Sequence, residues 1–276
     1  MAKRALAGQA GVEIHPTAVV DREAVLDEGV VIGPHSVIGP EVRIGSGTVL
    51  QSGVVVTGKV TIGKRNMIGH HSVIGTKPQL LKSLGAEVGV IIGDENIIRE
   101  GTTINTGTEH GGGPTRIGNH CYLMIACHVA HDCILCDHSE IMNNVLLAGH
   151  VRVEEGAIIS GGAGVHHFVT VGTLSFSGGL SKVVQDVPPF MLIDGNPARV
   201  RGVNVVGLRR AGFSEKRINA LKAAHRVLYR SKLSRSKALE KLERESPGAD
   251  VAYLVKFCRA TASGKQGRAR EALRKP

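Results

Sequence analysis

Aliphatic residues return at every sixth position along most of this chain. Ile14, Val20, Leu26, Ile32, Ile38, Ile44, Leu50, Val56, Ile62, Ile68 and Ile74 make one run, and Ile92, Ile98 and Ile104 resume it. After a second break the series continues from Ile117 through Leu123, Val129, Leu135, Ile141, Leu147, Val153, Ile159, Val165 and Val171, misses at Ser177, and ends at Val183. Two positions before each of these stands a mostly small residue, as at Ala18, Ala24, Ser36 and Thr48. A helix turning about 100° per residue would scatter positions six apart over different faces. One short strand plus one turn fits the period, with residues i−2 and i on the inward side of the strand. Three such units of six close one coil. A single unit cannot bury its apolar side, so stacked coils must supply the core.

Two segments break the rhythm. Residues 75–91, GTKPQLLKSLGAEVGVI, fill about the length of one coil without its glycine pattern and are expected to be an extruded loop. Residues 105–116, NTGTEHGGGPTR, shift the register by one beyond two hexads. Polar, Gly-rich insertions on a solenoid form binding rims or tolerated surface loops. After Val205 the periodicity becomes helical. Ser214 is placed to cap 214–229, Ser234 to cap the next helix, and Asp250 to cap a third, with Pro247–Gly248 between the last two. The expected division is a β-solenoid over 1–198 and an α-helical domain over 199–276 that covers one solenoid edge.

Composition narrows the class. Apolar residues are 42% and charged residues 21% of the 276, which excludes a wholly disordered chain. Aromatics are only 3%, so Val, Ile, Leu and Ala must fill the core. No stretch reaches the ~18 apolar residues of a membrane span, and the N-terminus lacks the apolar region of a signal peptide. The net charge of +10 hides a division: residues 1–198 carry 13 basic and 18 acidic side chains (−5), and residues 199–276 carry 21 and 6 (+15). A basic C-terminal third suits an acidic protein, an anionic surface or nucleic acid. The scarcity of aromatics for base stacking and the lack of a recognition motif argue against nucleic acid. Five cysteines without a secretory context read as reduced cytoplasmic thiols.

Placed in register, Cys121, Cys127 and Cys133 all take the small inward slot on successive faces of one coil. They are expected to pack as core residues and not to bind metal. The histidines behave differently. Positions eighteen apart share a face one coil apart, so His131, Gly149 and His167 form one column and Asp132, His150 and Phe168 the next. His128 and His166 lie beside them, and Gly149 is expected to leave space next to His131. Three readings fit such a cluster: a catalytic site, polar residues satisfied in a subunit interface, or zinc ligands at a subunit border. No further ligand spacing completes a metal site.

The hexad pattern resembles that of the hexapeptide-repeat transferases, which implies a left-handed parallel β-helix. The segments IACHVAHDC (125–133), NNVLLAGHV (143–151), GGAGVHHF (161–168) and QDVPPFMLIDGNPARVRGVNVVGLRRAGFS (185–214) are more specific. They resemble the bacterial acyl-[acyl-carrier-protein]–UDP-N-acetylglucosamine O-acyltransferases over roughly 12–262. The resemblance implies transfer of a 3-hydroxyacyl group from acyl carrier protein to the glucosamine 3-hydroxyl of UDP-N-acetylglucosamine, in lipid A biosynthesis. It implies His131 as general base, Asp132 as its orienting partner and the Gly149 N–H as an oxyanion contact. Lys82, His128, His150, His166, Asn196 and Arg209 or Arg210 would bind substrate, and 173–180, with Leu174, Phe176, Gly178 and Gly179, would run along the acyl chain. No tightly bound cofactor is implied, since the phosphopantetheine arrives on the carrier. A homotrimer with active sites between subunits is implied as well.

Two departures bear on specificity. The family loop commonly reads Gln-Asp-Leu-Lys, and this chain reads Gln79–Leu80–Leu81–Lys82, so Leu80 replaces a hydrogen-bonding carboxylate. His167 stands where glutamine is frequent. A different or amino-substituted UDP-sugar therefore stays open as acceptor. A non-catalytic trimer that binds the sugar nucleotide or the carrier also stays open.

Overall fold

The computed structural model describes residues 11–80, 86–245, 248–264 and 267–269. Strands of two or three residues follow one another at the predicted period and stack into three parallel sheets. The first sheet starts at Glu13–Ile14, the second at Val19–Val20 and the third at Val25–Leu26. Partners are eighteen residues apart: Val31 pairs with Val49 and Val37 with Val55. Inward alternation is visible within a strand, where Val42 and Ile44 are buried on either side of exposed Arg43. The ladders fill one continuous core that includes Cys121, Cys127 and Cys133. Burial raises the last two thiols to about 11 and about 12, as expected of small apolar packing residues.

The pairing register locates the insertions. Val90 pairs with Val60, thirty residues back, so twelve residues beyond one coil loop out ahead of it. The expected extruded loop at 75–91 is thus too long. Glu87–Ile92 is a six-residue strand, and its Val90–Ile92 portion lies in the third sheet between Val60–Ile62 and Thr115–Ile117. Apolar Val90 and Ile92 keep the inward slots, and that burial draws the segment back into the coil. His128 pairs with Thr103, twenty-five residues back, so the 105–116 insertion adds seven. The two insertions then meet, because Gly107–Thr108 runs antiparallel to Glu87–Ile92.

The solenoid ends in a hairpin, Met191–Gly195 with Ala198–Val203, so the expected boundary at 198/199 falls inside paired structure. Helices α1 (Val205–Arg210), α2 (Glu215–Tyr229), α3 (Arg235–Arg244) and α4 (Ala249–Ala262) follow. Ser214 and Ser234 cap α2 and α3 as predicted, through Arg217 N–H and Lys237 N–H. Asp250 does not cap α4. The cap is Gly248, and Asp250 sits in the first turn, where its carboxylate accepts two hydrogen bonds at 2.7 Å from Arg217. Phe190 and Met191 join Leu208, Leu221 and Leu254 in a second core that seats the helices on the last coil. No described helix is long and apolar enough to cross a membrane.

Candidate active site

The eighteen-residue columns stack at the corner between the second and third sheets. His150 N–H donates to the His131 carbonyl (3.0 Å), and Phe168 N–H donates to the Gly149 carbonyl (3.1 Å). Asp132, His150 and Phe168 turn the corner at φ of 61°, 62° and 62°. Aspartate and histidine visit this region more readily than most residues, and a bulky aromatic rarely does. Phe168 is held there with its ring stacked on His150, centroids 4.4 Å apart.

Asp132 is the most enclosed member, with its side chain 1% exposed. Its Oδ2 accepts from His131 Nδ1 at 2.7 Å and from the Thr108 hydroxyl at 3.0 Å. Its Oδ1 accepts from the Thr108 N–H at 2.7 Å. Its own N–H donates to Thr115 Oγ1 at 2.9 Å. The 105–116 insertion thus folds over the carboxylate, and at Gly111 any Cβ would fall on it. Burial alone would push this carboxyl up, yet hydrogen bonds from His131 and Thr108 and the proximity of His150 together hold it below the usual carboxylate range. An ionised carboxylate only accepts, so His131 must donate from Nδ1, which leaves the Nε2 lone pair for chemistry.

Gly149 does not leave open space. A Cβ there would lie 2.5 Å from Cε1 and 2.6 Å from Nε2 of His131, because the imidazole packs directly on the glycine. Among the described residues none accepts from the Gly149 N–H. A cleft of about 420 Å³ opens beside the dyad, lined by His128, His131, Gly149, His150 and His167 together with Gln79 and Leu80. His128 bonds Thr103 Oγ1 at 2.8 Å; burial first, then His131, keeps its pKa below the ordinary histidine value. Partial burial first, then the nearby basic groups of His166, Arg268 and His131, keeps the His167 pKa below the ordinary histidine value. His166 sits edge-on to His167 at 4.4 Å, outside the cleft lining.

The other expected site residues are placed elsewhere. Lys82 lies outside the described residues. Asn196 is at the exposed tip of the terminal hairpin, and Arg209 and Arg210 are exposed in the last turn of α1, where Arg209 pairs with Glu215 at 2.6 Å. Leu174 turns the corner between the third and first sheets and packs against the helical core, and its carbonyl accepts from Asn204. Phe176 faces outward on the first sheet. Neither is in the cleft with His131, since the triangular coil puts their sequence positions on other sides. Gly178 lies against the Asp194 side chain, and Gly179 has space, with the Gly161 carbonyl 3.5 Å from where a Cβ would stand. Thr108, Thr115 and Asn105 were not singled out by the sequence, because the path of an insertion is not written in the hexad period.

His131, Asp132 and His150 place one donor atom each within 4.8 Å of one another, a spacing a metal ion accepts. Here Asp132 Oδ2 is already engaged by His131 and Thr108, and His150 Nε2 stands 3.6 Å from it. That arrangement serves a carboxylate-oriented imidazole beside a substrate-sized cleft, the requirement for moving a proton from a hydroxyl nucleophile.

Known proteins share this architecture. A family profile described as UDP N-acetylglucosamine O-acyltransferase, domain 2, matches residues 186–267, and one described as the GMPPB C-terminal domain matches residues 10–110. The acyl-[acyl-carrier-protein]–UDP-N-acetylglucosamine O-acyltransferase of Gloeothece citriformis is 47% identical over 195 residues, covering 70% of each chain. That of Synechocystis is 46% identical over 194 residues, again 70% of each. Among solved structures, the UDP-N-acetylglucosamine O-acyltransferase of Moraxella catarrhalis superposes with a TM-score of 0.87 at 39% identity, covering 92% of this chain and 98% of that one. The UDP-N-acetylglucosamine acyltransferase of Bacteroides fragilis gives 0.88 at 36% identity with the same coverage. The chain therefore belongs to the acyl-[acyl-carrier-protein]–UDP-N-acetylglucosamine O-acyltransferases, a family of hexapeptide-repeat enzymes.

Proposed function

We propose that this chain transfers a 3-hydroxyacyl group from acyl carrier protein to the glucosamine 3-hydroxyl of UDP-N-acetylglucosamine, a step of lipid A biosynthesis in the cytoplasm. The observation that carries this reading is the His131–Asp132 pair at 2.7 Å on the wall of a cleft that also holds Gln79 and Leu80. His131 Nε2 takes the proton of the sugar hydroxyl as that oxygen attacks the thioester carbonyl. The Gly149 N–H donates to the developing oxyanion. Collapse breaks the C–S bond, and the proton on His131 passes to the departing phosphopantetheine thiolate. Asp132 holds the Nδ1–H throughout and favours the transient imidazolium.

A homotrimer fits the placement of the remaining residues. Asn196, Arg209 and Arg210 lie away from the His131 cleft of their own chain, so a neighbouring subunit would have to supply them. Two solenoid faces carry exposed apolar side chains for such contacts, Val19, Val37 and Leu146 on one and Met67 and Ile97 on another. Leu80, 38% exposed in the cleft wall, favours a second reading in which the acceptor is another or an amino-substituted UDP-sugar. A mass-resolved assay with acyl carrier donors and a panel of UDP-sugars tests both. Ester product from UDP-N-acetylglucosamine supports the first, and an amide or another acceptor supports the second. Binding without turnover for every acceptor would refute acyl transfer.

A further inference from the structure

A second cavity, of about 350 Å³, lies between the last coil, the terminal hairpin and the end of α2. Arg199 and Arg201 of the hairpin and Arg230 at the C-terminus of α2 line it with Gln185, Asp186 and Tyr229. All three arginines are exposed, and among the described residues none forms an ion pair. The single acid in the wall is occupied. Asp186 accepts from the Thr170 N–H (2.8 Å) and from the Arg268 N–H (2.9 and 3.1 Å). That grip ties the chain after α4 to the solenoid, and at Gly267 a Cβ would fall on the Asp186 carboxylate. Three arginines lining one cavity, with no ion pair to a carboxylate among the described residues, make an arrangement that a bound anion would relieve.

The position of the cavity suggests which anion. Val183 pairs with Val165 and Val187 with Val171, so Gln185 lies in the shortened corner one coil beyond His167 and Phe168, on the side that carries His131 and Gly149. From His131 to Gln185 is three strand spacings, roughly 14 Å. An extended phosphopantetheine arm is about as long as four extended residues, also roughly 14 Å. By contrast, the cleft wall contains four histidines and neither lysine nor arginine among its described residues. We propose that the cavity of Arg199, Arg201 and Arg230 is a phosphate-ester site that holds the phosphodiester of the donor's phosphopantetheine arm, with the thioester end reaching His131. The choice of donor rests on the acyl-transfer reading; the phosphate chemistry does not. The other source of the same chemistry is the diphosphate of the acceptor.

The test uses the full-length protein and compares wild type with Arg230→Gln and with the Arg199→Gln/Arg201→Gln double variant. Calorimetry measures binding of 4′-phosphopantetheine against pantetheine, and of UDP against uridine. Wild type should prefer 4′-phosphopantetheine over pantetheine by at least about tenfold, as charge-assisted hydrogen bonds to phosphate require. Both variants should narrow that preference to about twofold and leave the UDP-over-uridine preference in place. In turnover, the variants should raise KM for the acyl carrier donor about tenfold, with kcat and acceptor KM within about twofold. An unchanged phosphate preference in both variants, or none in wild type, overturns the site. Loss of the UDP preference instead overturns the donor assignment and gives the cavity to the diphosphate. If wild type shows phosphate-dependent binding that the variants lose but no acyl transfer, the site stands and the reaction reading fails.

Discussion

Replacing Thr108 by valine keeps the shape of the side chain and removes one hydroxyl from the buried Asp132 carboxylate. The lost bond is the 3.0 Å contact to Oδ2, the oxygen that also faces His131. A hydrogen bond to a charged group is worth about 1.5–3 kcal/mol, and here it is nearly free of solvent. For a chain of this size the melting temperature should fall by roughly 3–5 °C near pH 7. The pH dependence has a defined sign. Asp132 is held below its ordinary value, so its contribution is fully present above the unfolded value of about 3.9 and is lost as pH falls through the folded value. The gap between wild type and variant should therefore hold from neutrality down to about pH 4 and shrink below it. Activity should follow orientation: kcat falls about tenfold or more, with both KM values within about twofold. Urea unfolding at pH 7 and about pH 3, paired with steady-state rates at pH 7, measures both effects. A variant equal to wild type in stability and kcat at pH 7 would refute the claim that Thr108 sets the carboxylate.

Other outcomes follow from neighbouring geometry. Gly149→Ala puts a methyl group against the His131 ring and pushes it off Asp132, so kcat should drop on the order of 100-fold and the melting temperature should fall by a few degrees; retained turnover would show that the ring has another place to go. Leu80→Asp should change the acceptor's KM more than the donor's in steady-state kinetics, and equal acceptor response in both forms would remove Leu80 from the sugar site. Dialysis against a chelator should leave turnover unchanged. Stoichiometric zinc that activity requires would instead make His131, Asp132 and His150 metal ligands.

The period of six carried most of the fold, because each inward slot must be filled whatever faces solvent. Ile32, Leu50 and Ile68 are each at most 1% exposed on adjacent coils, and Cys127 takes the small slot. The same count put His131 over Gly149 and His150 over Asp132. It did not reveal that Gly149 is filled by the His131 ring, since column membership says nothing of rotamer. Nor did it find Thr108, which reaches Asp132 through the fold of an insertion. Leu174 and Phe176 were drawn to the acyl path by their place in a family segment. In this chain Leu174 turns a corner against the helices, and Phe176 faces outward from the first sheet. The boundary near 198 was misplaced for a related reason: the composition changes there, yet backbone pairing between Asp194 and Arg199 continues across it.

The central claim is that Nε2 of His131, fixed by Asp132, removes the acceptor's hydroxyl proton. Single-turnover product formation by His131→Gln, with acyl carrier donor and UDP-N-acetylglucosamine both saturating, addresses it directly. General-base loss predicts a rate lower by about 100-fold to 10,000-fold, with both substrates still bound and the product ester unchanged in linkage. A His131→Gln rate within a few-fold of wild type would contradict the account.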